Sequence, residues 1–259
     1  RQMCIRDSYY TLQGNLSNKT LVFLHGFLED STVWNALSKS LSDTYKILCI
    51  DLLGHGKTPT IAPIHTMEMM ADEVKAVLNY ENITQCTLVG HSMGGYVALA
   101  FVERFPKNVE GLVLLNSTPL PDSDEKKANR DRVLKVIEKE KELFVRTAVT
   151  NLFSEKNRTT MTVALQQLIN IGITTPNEGI VAASLGMKER PDRTFVLQHL
   201  SAKKLFILGK EDALIPYQKM TALGESIGMQ SAVLEGGHLV YIENEAATIE
   251  VLRNFMKQI

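Results

Sequence analysis

The sequence predicts an α/β chain, with a mostly parallel central sheet and helices on both faces. Three observations carry that prediction. Short runs of unbroken apolar residues, such as Thr20-Leu21-Val22-Phe23-Leu24 and Leu112-Val113-Leu114-Leu115, have the all-buried character of parallel strands rather than the alternation of a half-exposed sheet. These runs alternate with stretches of helical spacing: Val33, Trp34, Leu37 and Leu41 in one, Met70, Val74, Val77 and Leu78 in the next. At 259 residues the chain is also long enough to bury a large core.

In chain order, residues 9–14 form a strand-like piece with a turn at Gly14-Asn15, one arm of an antiparallel edge hairpin. Strand 20–24 ends in His25-Gly26-Phe27, residues 31–41 are helical, and strand 45–50 runs into Asp51-Leu52-Leu53-Gly54-His55-Gly56. A helix over 67–79 precedes strand 86–89, and the compact apolar run Val97-Ala98-Leu99-Ala100-Phe101-Val102 is a buried helix that Pro106 ends before strand 111–115. From 119 to 202 strand chemistry disappears. A charged amphipathic helix covers 124–144, with Val133, Val136, Ile137, Leu143 and Phe144 along one side, and a second covers 159–171. Thr175-Pro176-Asn177-Glu178 offers a capping residue, a proline at the first helical position and a glutamate reaching back, so it opens a third. Pro191 separates that helix from 192–200. Strands return at 204–209 and 231–234, with helices over 218–227 and 245–257.

Lys plus Arg number 28 and Asp plus Glu 29, so no charge excess draws the chain to nucleic acid or to an anionic membrane. No apolar run approaches the roughly 20 residues that span a bilayer, and no basic-then-apolar signal segment opens the chain. The expectation is a soluble cytoplasmic protein, monomeric or a small homo-oligomer, with a small molecule as its partner. Cys4, Cys49 and Cys86 have neither metal-ligand spacing nor the even count of a disulfide framework. Cys49 and Cys86 fall in strand runs and read as small buried hydrophobes. Residues 1–8 lack a leading Met and any periodicity; they are expected to be a non-native tail, and Cys4 receives no role.

The chemistry concentrates at Gly90-His91-Ser92-Met93-Gly94-Gly95, where a strand stops at G-x-S-x-G and a helix begins. A serine lifted out of so sharp a turn needs neighbours without side chains two positions before and two after it. Gly90 and Gly94 meet that need, and the segment reads as a nucleophile elbow. On its own the pattern is short and weak evidence. Its weight comes from His25-Gly26-Phe27 after an earlier strand, and from an aspartate and a histidine after the last two strands.

Together these motifs make the chain resemble the α/β-hydrolase fold family, in its lid-bearing serine esterase-like branch, from about Thr20 to the C-terminus. The resemblance implies a core over 9–118 and 203–259, with a helical lid over 119–202 inserted after the sixth strand of that fold. It also implies a triad in the order serine, acid, histidine. Ser92 is then the nucleophile. His238, in Gly236-Gly237-His238, is the base, since imidazole is the side chain that titrates near neutrality. Asp212, three positions past Gly209, is the acid that orients it, with Glu211 as its neighbouring rival. His199 paired with Asp122 stays open as a second arrangement. The backbone amides of Phe27 and Met93 are the implied oxyanion hole. No metal and no organic cofactor is called for.

The implied activity is hydrolysis of a small ester through an acyl-enzyme. Alternatives are a triad-bearing relative with other chemistry (a menaquinone-pathway-type lyase or synthase, a carbon-carbon hydrolase, a perhydrolase) or a receptor that keeps the triad for sensing. The menaquinone synthases tend to carry Arg where this chain has Tyr96. A lyase would also need a basic lid residue, for which Arg130, Arg132, Arg146 and Arg158 are unassigned candidates. Plainer roles are expected for Asp51, Gly54, His55 and Gly56, which resemble the family's loop-shaping D-x-x-G-x-G turn. His25 and His91 are expected as hydrogen-bonding neighbours, Trp34 as core, and Met67, Met69, Met70 and Met187 as helix-face packing. Phe27 either lines the acyl pocket or packs in the core.

Overall fold

The computed structural model describes residues 2–5, 8–15 and 19–259. Among the described residues eight strands build one sheet: β1 (Gln2–Ile5), β2 (Ser8–Gly14), β3 (Thr20–Leu24), β4 (Lys46–Ile50), β5 (Cys86–His91), β6 (Val109–Leu115), β7 (Lys203–Gly209) and β8 (Gln230–Leu234). Their order is β1-β2-β4-β3-β5-β6-β7-β8. β1 and β2 are antiparallel additions, and every neighbouring pair from β4 to β8 is parallel. The register keeps the carboxyl ends level: Leu24 faces both Ile50 and Gly90, Gly90 faces Leu114, Leu115 faces Ile207, and Gly209 faces Leu234. The loops after β3, β5, β6, β7 and β8 therefore open on one edge, the edge where open α/β sheets bind ligands.

The helices are α1 (Asn35–Leu41), α2 (Met67–Tyr80), α3 (Met93–Arg104), α4 (Asp124–Leu152), α5 (Glu155–Thr160), α6 (Thr162–Thr174), α7 (Asn177–Glu189), α8 (Thr194–His199), α9 (Tyr217–Ser226), α10 (Val240–Glu243) and α11 (Glu245–Met256). The period-two strand pattern divides the core in two. Val22, Leu24, Leu88 and Leu112 face a cluster with Met70, Val74 and Leu78 of α2 and Val97 and Phe101 of α3. Leu21, Phe23, Val89 and Val113 face the opposite cluster, with Leu37 and Leu41 of α1 and Leu252, Phe255 and Met256 of α11. Cys49 and Cys86 are buried free thiols, and burial pushes both up to about 12. Trp34, Met67, Met70 and Met187 are core side chains, with Met69 packed at the margin.

β2 is one arm of an antiparallel edge hairpin, with β1 before it as the other arm, and no hairpin forms across Gly14-Asn15 because β2 pairs on its other side with β4 and not with β3. Gly14 turns at φ +87° where a Cβ would stand 2.1 Å from Tyr45 O. Of residues 1–8, Arg1, Arg6 and Asp7 lie outside the described residues. The backbone of Gln2–Ile5 extends the sheet edge beside β2, which any extended chain can do because edge pairing uses main-chain groups only.

Between β6 and β7 the chain makes five helices, α4 to α8. α4 runs to Leu152, eight residues past the expected end, through non-helical backbone at Glu140 (φ −139°, ψ 42°). That kink resets the phase of the helix. Ile137 is buried before it and Val145 and Val149 after it, while Leu143, expected on the apolar stripe, is 60% exposed. The second expected helix is two, broken at Met161. The capping box at Thr175 is also absent: Pro176 holds the N-cap position, and the Thr175 hydroxyl donates back to Ile171 O. Buried Arg193 fastens the start of α8 to the core by pairing with Glu103 of α3 (2.9 Å) and Glu68 of α2. Among the described residues no helix is long and apolar enough to cross a membrane.

Candidate active site

Ser92 stands between β5 and α3 at φ +49°, ψ −112°, a conformation an L residue adopts only under constraint. Its amide donates to Leu115 O (3.0 Å), and its carbonyl accepts the Ser117 hydroxyl (2.8 Å). Neither flanking glycine has room for a side chain. A Cβ on Gly90 would lie 2.4 Å from Gly94 O, and one on Gly94 would lie 2.1 Å from Leu24 O. Gly95 is equally confined, 2.2 Å from Ser117 Oγ.

The three residues implied for the chemistry converge. The Ser92 hydroxyl lies 2.9 Å from His238 Nε2, positioned to donate to it, and His238 Nδ1 donates to Asp212 Oδ2 at 2.8 Å. Ser92 is half-buried, while His238 and Asp212 are buried. Asp212 Oδ2 also accepts Asn116 Nδ2 (2.7 Å), and Oδ1 accepts the amides of Leu214 (2.8 Å) and Ile215 (3.0 Å). Burial alone would push the Asp212 carboxyl up, but the charge and hydrogen bond of His238, with Asn116 and the Ile215 amide, reverse that and hold it below the usual carboxylate range. Glu211, the rival acid, is exposed on the same loop. Asp122 is taken up by Arg190 (2.8 Å) and Arg130, and His199 is exposed with Nδ1 donating to Phe195 O, so that alternative pair is not assembled.

Both residues implied for the oxyanion hole stand just past the carboxyl ends of neighbouring strands, Phe27 after β3 and Met93 after β5. Met93 opens α3, where first-turn amides have no partner within the helix. Phe27 follows β3, and its half-buried ring packs edge-on to His55 (6.0 Å) rather than standing free. Leu28, at φ +65°, continues this strained turn and is buried against Gly172 of α6. His25 braces the loop by donating Nδ1 to Gly26 O (2.8 Å) and accepting the Leu52 amide at Nε2 (2.9 Å). Asp51 shapes its own turn through the amides of Ser31 (2.7 Å) and Lys57 (2.8 Å), and Gly56 is required because a Cβ there would meet Asp51 Oδ2 at 2.2 Å.

Several positioning residues carry no sequence signal of their own. Asn116, at φ +44° just past β6, is one; an amide in a loop reads as solvated. Glu243 is another. Its Oε1 accepts the Gly237 amide (2.8 Å), while Oε2 accepts the Ser154 amide (3.0 Å) and Asn157 Nδ2 (2.8 Å), tying the histidine loop to the α4–α5 turn. The His238 amide donates to Leu152 O (2.8 Å) at the same junction. The unassigned arginines have internal partners: Arg130 with Asp122, Arg132 with Asn129, Arg146 with Glu142, Arg158 with Phe153 O. Among the described residues no cluster of three His, Cys, Asp or Glu is placed to hold a metal ion.

Known proteins place this geometry in context. A solved thermophilic esterase from Thermogutta terrifontis, with malate bound, superposes at a TM-score of 0.92 with 30% identity, over 97% of this chain and 93% of its own. A putative carbamate hydrolase, RutD, from Yersinia enterocolitica is 25% identical over 95% of this chain and 90% of its own length. The 2-succinyl-6-hydroxy-2,4-cyclohexadiene-1-carboxylate synthase of an Enterobacter species is 27% identical over 92% and 91%. The family model of the alpha/beta hydrolase fold matches residues 19–245, a span that runs from the edge of β3 past the histidine loop. This chain belongs to the α/β-hydrolase fold family.

Proposed function

We propose that the protein is a serine hydrolase that cleaves small carboxylic esters through an acyl-enzyme on Ser92, without a metal or organic cofactor. The observation that carries this reading is the unbroken chain Ser92 Oγ, His238, Asp212, with contacts of 2.9 and 2.8 Å. A serine hydroxyl is a poor nucleophile until a base removes its proton. In this reading His238 Nε2 takes that proton as Ser92 attacks the ester carbonyl. Asp212 fixes the Nδ1–H tautomer and stabilises the imidazolium that forms. The developing oxyanion is received by the Phe27 and Met93 amides. His238 returns the proton to the departing alcohol, then activates the water that releases the acid. The helices from α4 to α8 serve as the cap over the site, residues 119–202, and the core is 9–118 with 203–259.

The relationship to a synthase keeps a second reading in view, in which the same serine and histidine act on a carboxylate-bearing substrate. One observation weighs against it. Where such synthases tend to have Arg, Tyr96 lies under the Arg190 guanidinium (3.9 Å to the ring centre), and Arg190 is already paired with Asp122. The deciding experiment is turnover of short-chain nitrophenyl esters beside lactones, thioesters, carbamates and carbon-carbon substrates, with Ser92→Ala as control. Many turnovers on esters, abolished by Ser92→Ala, are expected; ester turnover that survives the substitution would sink the mechanism.

A further inference from the structure

A buried carboxylate lies between the two loops on which the proposed chemistry depends. Glu29, 2% exposed, accepts the Gly26 amide at Oε2 (2.7 Å), and the same oxygen meets His91 Nδ1 at 3.1 Å. His91 is the last residue of β5, directly before Ser92, and its other nitrogen, Nε2, donates to His238 O at 2.9 Å. A carboxylate and a carbonyl can only accept. With Glu29 ionised, the form its hydrogen bonds favour, both ring nitrogens of His91 carry hydrogen and the ring is an imidazolium within a wall of Trp34 (6.5 Å), Tyr241 (4.9 Å) and His238 (5.0 Å).

An isolated cation in such a place would be costly, and a paired one is tolerated. Burial pushes the His91 imidazole down, but the Glu29 charge and hydrogen bond outweigh it and hold it above the usual range. Burial pushes Glu29 up, and His91 with the Gly26 amide reverses that. The charged and titratable groups that face His91 are Glu29 from the loop after β3, Asp212 from the loop after β7, and His238 and Tyr241 from the histidine loop and α10. The backbone is cut to admit the pair: a Cβ on Gly26 would lie 2.7 Å from His91 Nδ1 and 3.0 Å from Glu29 Oε2.

We propose that Glu29 is a positioning residue that, through the doubly donating His91 ring, clamps the oxyanion loop and the backbone of the base into one rigid unit. One end of the clamp is the Gly26 amide, one residue before the Phe27 amide that receives the oxyanion. The other is the carbonyl of His238. Glu29 touches no substrate. The proposal deepens the serine hydrolase reading and rests on it for the roles of Phe27 and His238.

Glu29→Gln is the informative variant because it preserves shape and removes charge. The glutamine oxygen can still accept from Gly26, but the neutral His91 ring has one hydrogen for two acceptors, so one end of the clamp is lost. The expected result is a kcat about ten- to a hundredfold lower with KM within about twofold. Glu29→Asp, which keeps the charge on a shorter stem, should recover part of the loss. The double variant Glu29→Gln with His91→Asn should be no worse than the more damaging single change, because both act through one clamp. Nitrogen NMR should find His91 protonated on both nitrogens at neutral pH in the wild type and on one in Glu29→Gln.

The rate at which a fluorophosphonate labels Ser92, a step that forms the Ser92 Oγ–P bond and expels fluoride, reads the same geometry without any ester. It should fall in parallel with kcat. A wild type that labels quickly but turns over no ester overturns the ester reading alone, and the Glu29→Gln labelling rate then decides the clamp. Labelling by Glu29→Gln at the wild-type rate, or a neutral His91 in the wild type, overturns the clamp alone.

Discussion

Asp212 is held by four donors from three parts of the chain, and each one favours its ionised form. Two of them, the Leu214 and Ile215 amides, come with the loop itself and survive any side-chain change nearby. Asn116 is different, since it reaches Asp212 Oδ2 from across 96 residues of sequence. Replacing it by Gly suits the left-handed backbone at φ +44° and removes only the side chain. Kinetics of Asn116→Gly should show kcat lower by about tenfold, the size expected for one hydrogen bond to a charged group. An unchanged kcat would remove Asn116 from the site. Residues of this kind mark the limit of what the sequence discloses. Ser92, Asp212 and His238 are legible because each closes a strand and belongs to a residue type with its own chemistry. Asn116, Glu29 and Glu243 look like solvated loop residues until the fold brings their partners in from 96, 62 and 89 positions away.

At the scale of elements, legibility follows burial. Strands β3 to β7 are apolar runs because helices cover both faces, helices α2 and α11 present plain stripes because one side meets the sheet, and α3 is apolar all round because Met93 to Val102 are all buried. The helices between β6 and β7 pack largely on one another and stand half in solvent, so a kink at Glu140 or a break at Met161 leaves little trace in the pattern. The α3 entry shows the opposite case, where sequence and packing demand the same residue. Gly94→Ala would drive a Cβ to 2.1 Å from Leu24 O and 2.7 Å from His25 O, main-chain atoms that cannot yield without moving β3. Urea unfolding should show a loss of more than about 3 kcal/mol, or no folded protein. Gly228 provides the comparison, with φ +66° but nothing within 4 Å of its would-be Cβ. Gly228→Ala should cost only about 1 kcal/mol, the left-handed penalty alone. Gly94 sits in the first turn of α3 with no left-handed backbone, so a Gly94→Ala loss no larger than that at Gly228 would mean that the close approach at the elbow does not set the requirement for glycine there.

Over the whole molecule, the buried titratable groups set how stability responds to acid. His55 is buried, with Nδ1 donating to Leu53 O and no partner at Nε2, and burial followed by the charge of His25 lowers it to about 3. Its folded-state pKa is depressed below the ordinary imidazole value of 6.5, so its contribution is complete above that value and drains away as pH falls towards about 3. His65, lowered chiefly by burial, acts in the same direction. Glu29, Glu68, Asp122 and Asp212 are all depressed by their partners against the opposing effect of burial, so their stabilisation is present above the ordinary carboxylate range and lost below it. His91 runs the other way: raised by Glu29, it contributes fully in acid and less as pH climbs through its folded-state value. The two signs leave a maximum near neutrality, with decline on the acid side in two stages. Urea midpoints should fall between about pH 7 and about pH 5, before carboxylates titrate, and fall more steeply below about pH 4. His55→Asn keeps an amide donor for Leu53 O while removing the ring that must charge on unfolding. Its stability at neutral pH will be lower for lost packing, but its slope between about pH 7 and about pH 5 should be shallower than that of the wild type. A slope equal to the wild type's would show that the first stage of acid loss arises elsewhere than at His55.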